Sequence, residues 1–174
     1  MLRSYSENLN LRMNAAGVKA PSADVIEYAL KIILNTVSII VFTIMIGLIT
    51  GSPGKTALVL AGFAILRIAT GGYHLRSGIA CIAASTVVLS ILPHINLSAM
   101  WTYILTSLAF FMVAVFAPSN FDKYAWVSSK HYPLLKVIGL IIVSMNFVIV
   151  SDTLALAFLV QVMLLPFSEG GEKK

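Results

Sequence analysis

Residues 30–50 read LKIILNTVSIIVFTIMIGLIT, a run whose only charged side chain is Lys31, near one end. A helix rises about 1.5 Å per residue, so roughly 20 apolar residues match the ~30 Å hydrocarbon core of a bilayer. The stretch therefore reads as a transmembrane helix. Residues 97–117, LSAMWTYILTSLAFFMVAVFA, repeat the pattern with no charge at all. Outward from these two, further apolar runs at 55–72, 78–95, 134–150 and 153–167 bring the expected number of spans to about six, the short last two alternatively forming one broken hairpin.

Composition agrees with that reading. Of the 174 residues, 59% are hydrophobic and 11% charged, whereas soluble domains run at about 45–50% and about 25%. An ordinary soluble enzyme and a disordered chain are both excluded. The net charge of +5 sits mainly in the short gaps between apolar runs, where basic residues orient helices, so no nucleic acid is expected as a partner. The expected architecture is all-α, a polytopic integral membrane helical bundle in the lipid bilayer. It forms a single membrane domain over 1–174: an N-terminal segment (1–28), the bundle (29–167) and a tail (168–174). No repeat or long linker divides it.

Residues 1–28 lack the apolar core of a cleavable signal. Leu2, Tyr5, Leu9, Met13 and Ala16 recur at steps of three or four, with Arg3, Glu7 and Arg12 between them, which predicts an amphipathic helix. It would lie in the membrane interface or dock on the protein's own cytoplasmic loops. With the N-terminus cytoplasmic, Lys55 is the one basic residue left on the outer side. The positive-inside rule then puts both termini, the 67–77 turn and the 118–133 loop in the cytoplasm.

The chemistry concentrates in Arg67-Ile-Ala-Thr-Gly-Gly-Tyr-His-Leu-Arg-Ser-Gly-Ile-Ala-Cys81. Cys81 is the sole cysteine, so neither an intrachain disulfide nor a cysteine-rich metal site is available; no metal and no cofactor is expected. His74 and Cys81 stand seven residues apart, about 10.5 Å along a continuous helix, too far for a hydrogen bond. The chain must turn for them to meet, and Gly71-Gly72 and Ser77-Gly78 supply the flexible points. Ser77 suits the N-cap of the next helix, which puts Cys81 near its first turn. A thiol there, with a His and Arg76 close in sequence, is in a setting that makes it reactive, with His as base and thiolate as nucleophile. Read as structure instead, Cys81 is a small buried hydrophobe, His74 an interfacial side chain and Arg67 a snorkelling arginine.

The Arg…Gly-Gly-Tyr-His-x6-Cys pattern resembles that of the accessory gene regulator protein B (AgrB-like) family, membrane endopeptidases of Gram-positive quorum sensing. The amphipathic N-terminal segment, Phe116-Ala117-Pro118 before a loop running to Lys136, and Leu164-Leu165-Pro166 agree with it. The resemblance implies Cys81 as nucleophile and His74 as its base, in a bacterial plasma membrane protein active at the cytoplasmic face. It implies a small AgrD-like pro-peptide as substrate, whose C-terminal tail is cut off and whose remainder is released as a cyclic thiolactone or lactone. It also adds to the expectation of a homodimer, for which Gly47-x3-Gly51 offers a close-packing face.

Arg67, Arg76, Lys123 and Lys130 are candidate substrate contacts. Because the 118–133 loop is only weakly basic, Phe121, Tyr124 and Trp126 point to aromatic contacts there as well. Asn120, Asp122 and Gln161 are the polar candidates to orient His74, each with a structural alternative. Asn35, Ser85, Thr106 and Asn146 read as interhelical hydrogen-bonding residues. The rival function is a small non-catalytic transporter subunit or scaffold. An ion-coupled transporter would place ionisable groups in mid-membrane, where this sequence has none beyond those near span ends.

Overall fold

Glycines and prolines at the ends of the apolar runs mark where several of the helices stop. The computed structural model describes residues 2–73, 75, 77–120 and 128–167. Among them lie α1 (Leu2–Ala15), α2 (Ala23–Ile49), α3 (Pro53–Thr70), α4 (Gly78–Ile91), α5 (Ala99–Phe116), α6 (Tyr132–Ile149) and α7 (Asp152–Val162). Short 3₁₀ turns at Leu92–His94 and Ser129–His131 complete the described helical structure. The chain is all-α over these residues. His74, Arg76, Phe121, Asp122, Lys123, Tyr124, Trp126 and the 168–174 tail lie outside the described residues.

Among the described residues, four stretches are long and apolar enough to cross a membrane: α2, α3, α5 and Ser129–Ile149. About six were expected. The remaining two, α4 with 14 residues and α7 with 11, rise only about 21 and about 16 Å. Their shortness has local causes. Pro93 tightens the end of α4 into a 3₁₀ turn. After Val162 the apolar run continues, but Leu164 and Leu165 donate to the carbonyls of Gln161 and Val162, three residues back, and the helix winds no further.

α7 is buried on nearly every side: Thr153, Ala155, Leu156, Ala157, Phe158, Gln161 and Val162 are all inaccessible. It forms the centre of the bundle. Leu66 of α3, Val113 of α5 and Val143 of α6 close round Phe158 and Val162, while Val59 and Leu89 pack with Leu156 and Ala157. α2 is the opposite case, burying only Ile26, Thr43 and Gly47 and exposing Ile33, Val37, Val41, Phe42, Met45 and Leu48. An apolar surface on that scale has lipid as its natural solvent.

Asn146 locks the α5–α6–α7 corner. Its Nδ2 donates to Thr106 Oγ1 (2.9 Å) and the Ser151 carbonyl (3.0 Å), while its Oδ1 accepts from the Ser151 N–H (3.0 Å). This holds Val150 in the left-handed region, φ 53°. At the same end of the bundle, Lys55 Nζ donates to Asn96 Oδ1 (2.8 Å) and the Leu97 N–H to Asp152 Oδ2 (3.3 Å).

α1 packs on the start of α2. Arg3 bonds Glu7 one turn on and pairs with Asp24 and Glu27 of α2. The hydrogen bond to Glu7, followed by the charge of Asp24, holds the Arg3 guanidinium above its ordinary pKa. The predicted apolar stripe is divided, Leu2, Leu9 and Met13 partly buried and Tyr5 exposed.

Gly47 shows how closely α2 and α3 approach. A Cβ built there would lie 2.4 Å from Thr56 Oγ1 and 2.7 Å from Thr56 Cβ, and Thr56 is itself buried. The space that Gly47 leaves is thus filled within the chain. Gly47→Ala is expected to destabilise the protein by about 1–3 kcal/mol through overpacking, read as a lower Tm in detergent. Gly54→Ala, which meets nothing within 4 Å, should leave the Tm unchanged or slightly raised. Equal Tm values for the two variants would refute the close approach of α2 and α3.

Candidate active site

α3 ends in a turn that favours glycine. Gly71 has φ 71° and Gly72 φ 135°, values that L side chains rarely adopt. A Cβ at Gly72 would also approach Gln161 Nε2 at 3.3 Å and Arg67 Nη1 at 3.4 Å. The chain leaves the helix beneath two polar side chains and runs towards position 74.

Gln161, wholly buried on α7, holds this turn. Its Nε2 donates to the Gly71 carbonyl (2.6 Å) and to Thr70 Oγ1 (3.2 Å), and its Oε1 accepts from Arg67 Nη1 (3.2 Å). Arg67 Nη2 donates in turn to the Tyr73 carbonyl (2.9 Å), and its guanidinium carbon lies 5.7 Å from the centre of the Phe63 ring. Backbone bonds complete the fastening. The Tyr73 N–H donates to the Leu164 carbonyl (3.1 Å), Gly72 N–H to the Ser119 carbonyl (3.2 Å) and Ser119 N–H to the Thr70 carbonyl (2.9 Å). The turn after α3, the segment after α5 and the end of α7 are thereby joined.

α4 restarts the chain at Gly78. Ser77 is its N-cap, its Oγ accepting from the Ala80 N–H (3.3 Å), as the sequence predicts. Cys81 sits in the first turn, its N–H donating to the Ser77 carbonyl (2.9 Å). The thiol is buried and faces α2, where Asn35 Nδ2 donates to Sγ at 3.4 Å.

Of the sequence candidates, the structure places Arg67 in the Gln161 network and Cys81 against Asn35. It does not bring those two residues together. Lys130 is exposed in the Ser129–His131 turn. Asn120 Nδ2 donates to the Phe167 carbonyl (3.0 Å) and to Ser119 Oγ (3.2 Å). Among the described residues no three His, Cys, Asp or Glu side chains converge as a metal site would require. Asn35 is expected from sequence to bond between helices, and its bond to Cys81 joins α2 to α4. Its one signal is that it is the sole carboxamide in residues 30–50.

An accessory gene regulator B family profile matches residues 4–167, nearly the whole chain. The chain belongs to the accessory gene regulator B family. No curated protein and no solved structure gives a match. As an AgrB-family membrane protein it belongs with the accessory gene regulator system, and the family implies an AgrD-like pro-peptide as its substrate.

Removing Gln161 should loosen the turn. In Gln161→Leu, Arg67 loses an acceptor and the Gly71 carbonyl its donor, with an expected cost of about 1–3 kcal/mol for buried groups left unmet. Hydrogen exchange at the Tyr73 amide should accelerate together with the fall in Tm. Unchanged exchange and Tm would mean that the backbone bonds suffice.

Proposed function

We propose that the chain is a membrane cysteine endopeptidase that removes the C-terminal tail of an AgrD-like pro-peptide and promotes cyclisation of the remainder. The observation that carries this reading is the position of Cys81. The chain's only thiol occupies the first turn of a capped helix, one short segment beyond a glycine turn fastened from three directions. Covalent geometry permits the pairing with His74. Three residue steps separate it from Ser77, which limits the Cα separation to about 11 Å.

In the proposed cycle His74 takes the thiol proton and Sγ adds to the scissile carbonyl carbon. The peptide C–N bond breaks, and the tail amine leaves with the proton from His74. The thioester keeps most of the free energy of the cleaved amide available for ring closure. The pro-peptide's own Cys or Ser then gives its proton to His74 and attacks the thioester carbonyl; the Cys81 C–S bond breaks, His74 returns the proton to Sγ, and a thiolactone or lactone is released with Cys81 free. Burial of the thiol limits hydrolysis, and holding the internal nucleophile close raises its effective concentration. Arg76, Lys123 and Lys130 are the proposed contacts for the substrate at the cytoplasmic face, with Arg67 holding the turn. Assembly as a homodimer belongs to the same proposal.

Cys81→Ala should abolish cleavage, and His74→Ala should lower it by about 10²–10⁴-fold, the typical worth of a positioned base. His94 and His131, both exposed, serve as controls whose alanine variants should cut normally. A pro-peptide with its ring-forming residue changed to Ala should accumulate as a hydroxylamine-sensitive adduct on Cys81, visible by intact mass. Release of free linear acid at the normal rate with no adduct would make the protein a simple hydrolase.

A further inference from the structure

Three carboxamides inside the bundle can be compared, Asn146 and Gln161 fully buried and Asn35 partly buried with a shielded oxygen. Asn146 and Gln161 are met at both ends, and each visibly ties helices or turns together. Asn35 differs. Its Nδ2 points to Cys81 Sγ at 3.4 Å, while its Oδ1 is shielded from solvent and has no hydrogen-bond partner among the described residues. A residue that serves only to join helices gains nothing from an unmet acceptor, which costs free energy in an apolar interior. Leucine would fill the place at lower cost.

We propose that Asn35 is a catalytic residue, the oxyanion donor for acyl transfer to Cys81. The inference rests on the peptidase reading above. When Sγ adds to the scissile carbonyl, the carbonyl π pair moves onto oxygen, and that oxygen lies two bonds from the sulfur. A donor already seated beside Sγ can reach it at the roughly 2.7–3.1 Å that oxyanion donors use. Collapse of the intermediate returns the electron pair to the carbonyl, breaks the C–N bond and leaves the thioester, with the tail amine carrying the proton delivered by His74. Asn35 exchanges no proton and is unchanged at the end.

The placement supports the role. Asn35 lies one turn beyond Lys31, the last charged residue of α2, so the amide works where water is scarce and a fixed dipole counts for more than in solvent.

The test uses the full-length protein in lipid nanodiscs with a synthetic pro-peptide, rates being counted per monodisperse, folded molecule. Asn35→Leu removes the donor and the unmet acceptor together, so its Tm should be held or raised. Asn35→Asp keeps the shape but lacks the N–H. Both variants should form the Cys81 adduct about 10²–10³-fold more slowly, the usual cost of one oxyanion donor, with KM within a few-fold of the parent. Asn35→Gln should recover part of the rate. A Leu variant that acylates within threefold of the parent per folded molecule overturns the assignment, whatever its stability. Cys81→Ala separates the two claims. If it is inactive while Asn35→Leu is normal, only the role of Asn35 fails; if Cys81→Ala still cuts, the peptidase reading fails and this inference with it.

Discussion

The Gln161 carboxamide, buried in the middle of the bundle, is the constraint on which the rest of the site depends. Its two N–H groups hold the end of α3 and the carbonyl of Gly71, and its oxygen fixes Arg67. Arg67 can then support the Tyr73 carbonyl. Without this network a guanidinium would be left short of acceptors at depth, and the glycine turn would lose its internal support. The burial of α7 on nearly all sides follows from the same arrangement, because Gln161 reaches three polar groups of α3 and its turn only from a central helix.

The shortness of α7 takes on meaning in this light. A helix surrounded by protein need not match the thickness of the bilayer, whereas the lipid-facing α2 has 27 residues, about 40 Å. Arg67 fits the same economy of charge. Read from sequence as a snorkelling arginine, it instead spends two of its donors on Gln161 and on the turn before His74. The thiol end of α4 carries an amide pointing at sulfur.

Much of the fold was legible because it is written locally. The 30–50 and 97–117 runs became α2 and α5, Ser77 became the N-cap that puts Cys81 in a first turn, and Gly71-Gly72 became the turn. Capping, glycine conformations and hydropathy depend on neighbours in sequence. The early end of α7 at Val162, within the 153–167 run, is not legible because apolar runs look alike whether lipid or protein surrounds them. The partners within the site were hidden for another reason. Arg67 and Gln161 are 94 residues apart and Asn35 and Cys81 46, and no local pattern links such positions. Gln161 was named as a candidate to orient His74; the fold has it holding the turn that precedes His74. Gly47 suggested a dimer face, and its space is taken by Thr56.

The central claim is that the fastened turn presents position 74 to Cys81. The most direct measurement is cross-linking in His74→Cys, which leaves two thiols in the chain. A disulfide needs Cα atoms roughly 4.4–6.8 Å apart, about the separation at which a His could bond the thiol. Mild oxidation of this variant in lipid should give an intramolecular 74–81 disulfide, seen as the loss of both alkylation sites within one monomer. Two thiols that stay alkylatable, or that form only intermolecular bonds, would contradict the account and separate His74 from the nucleophile.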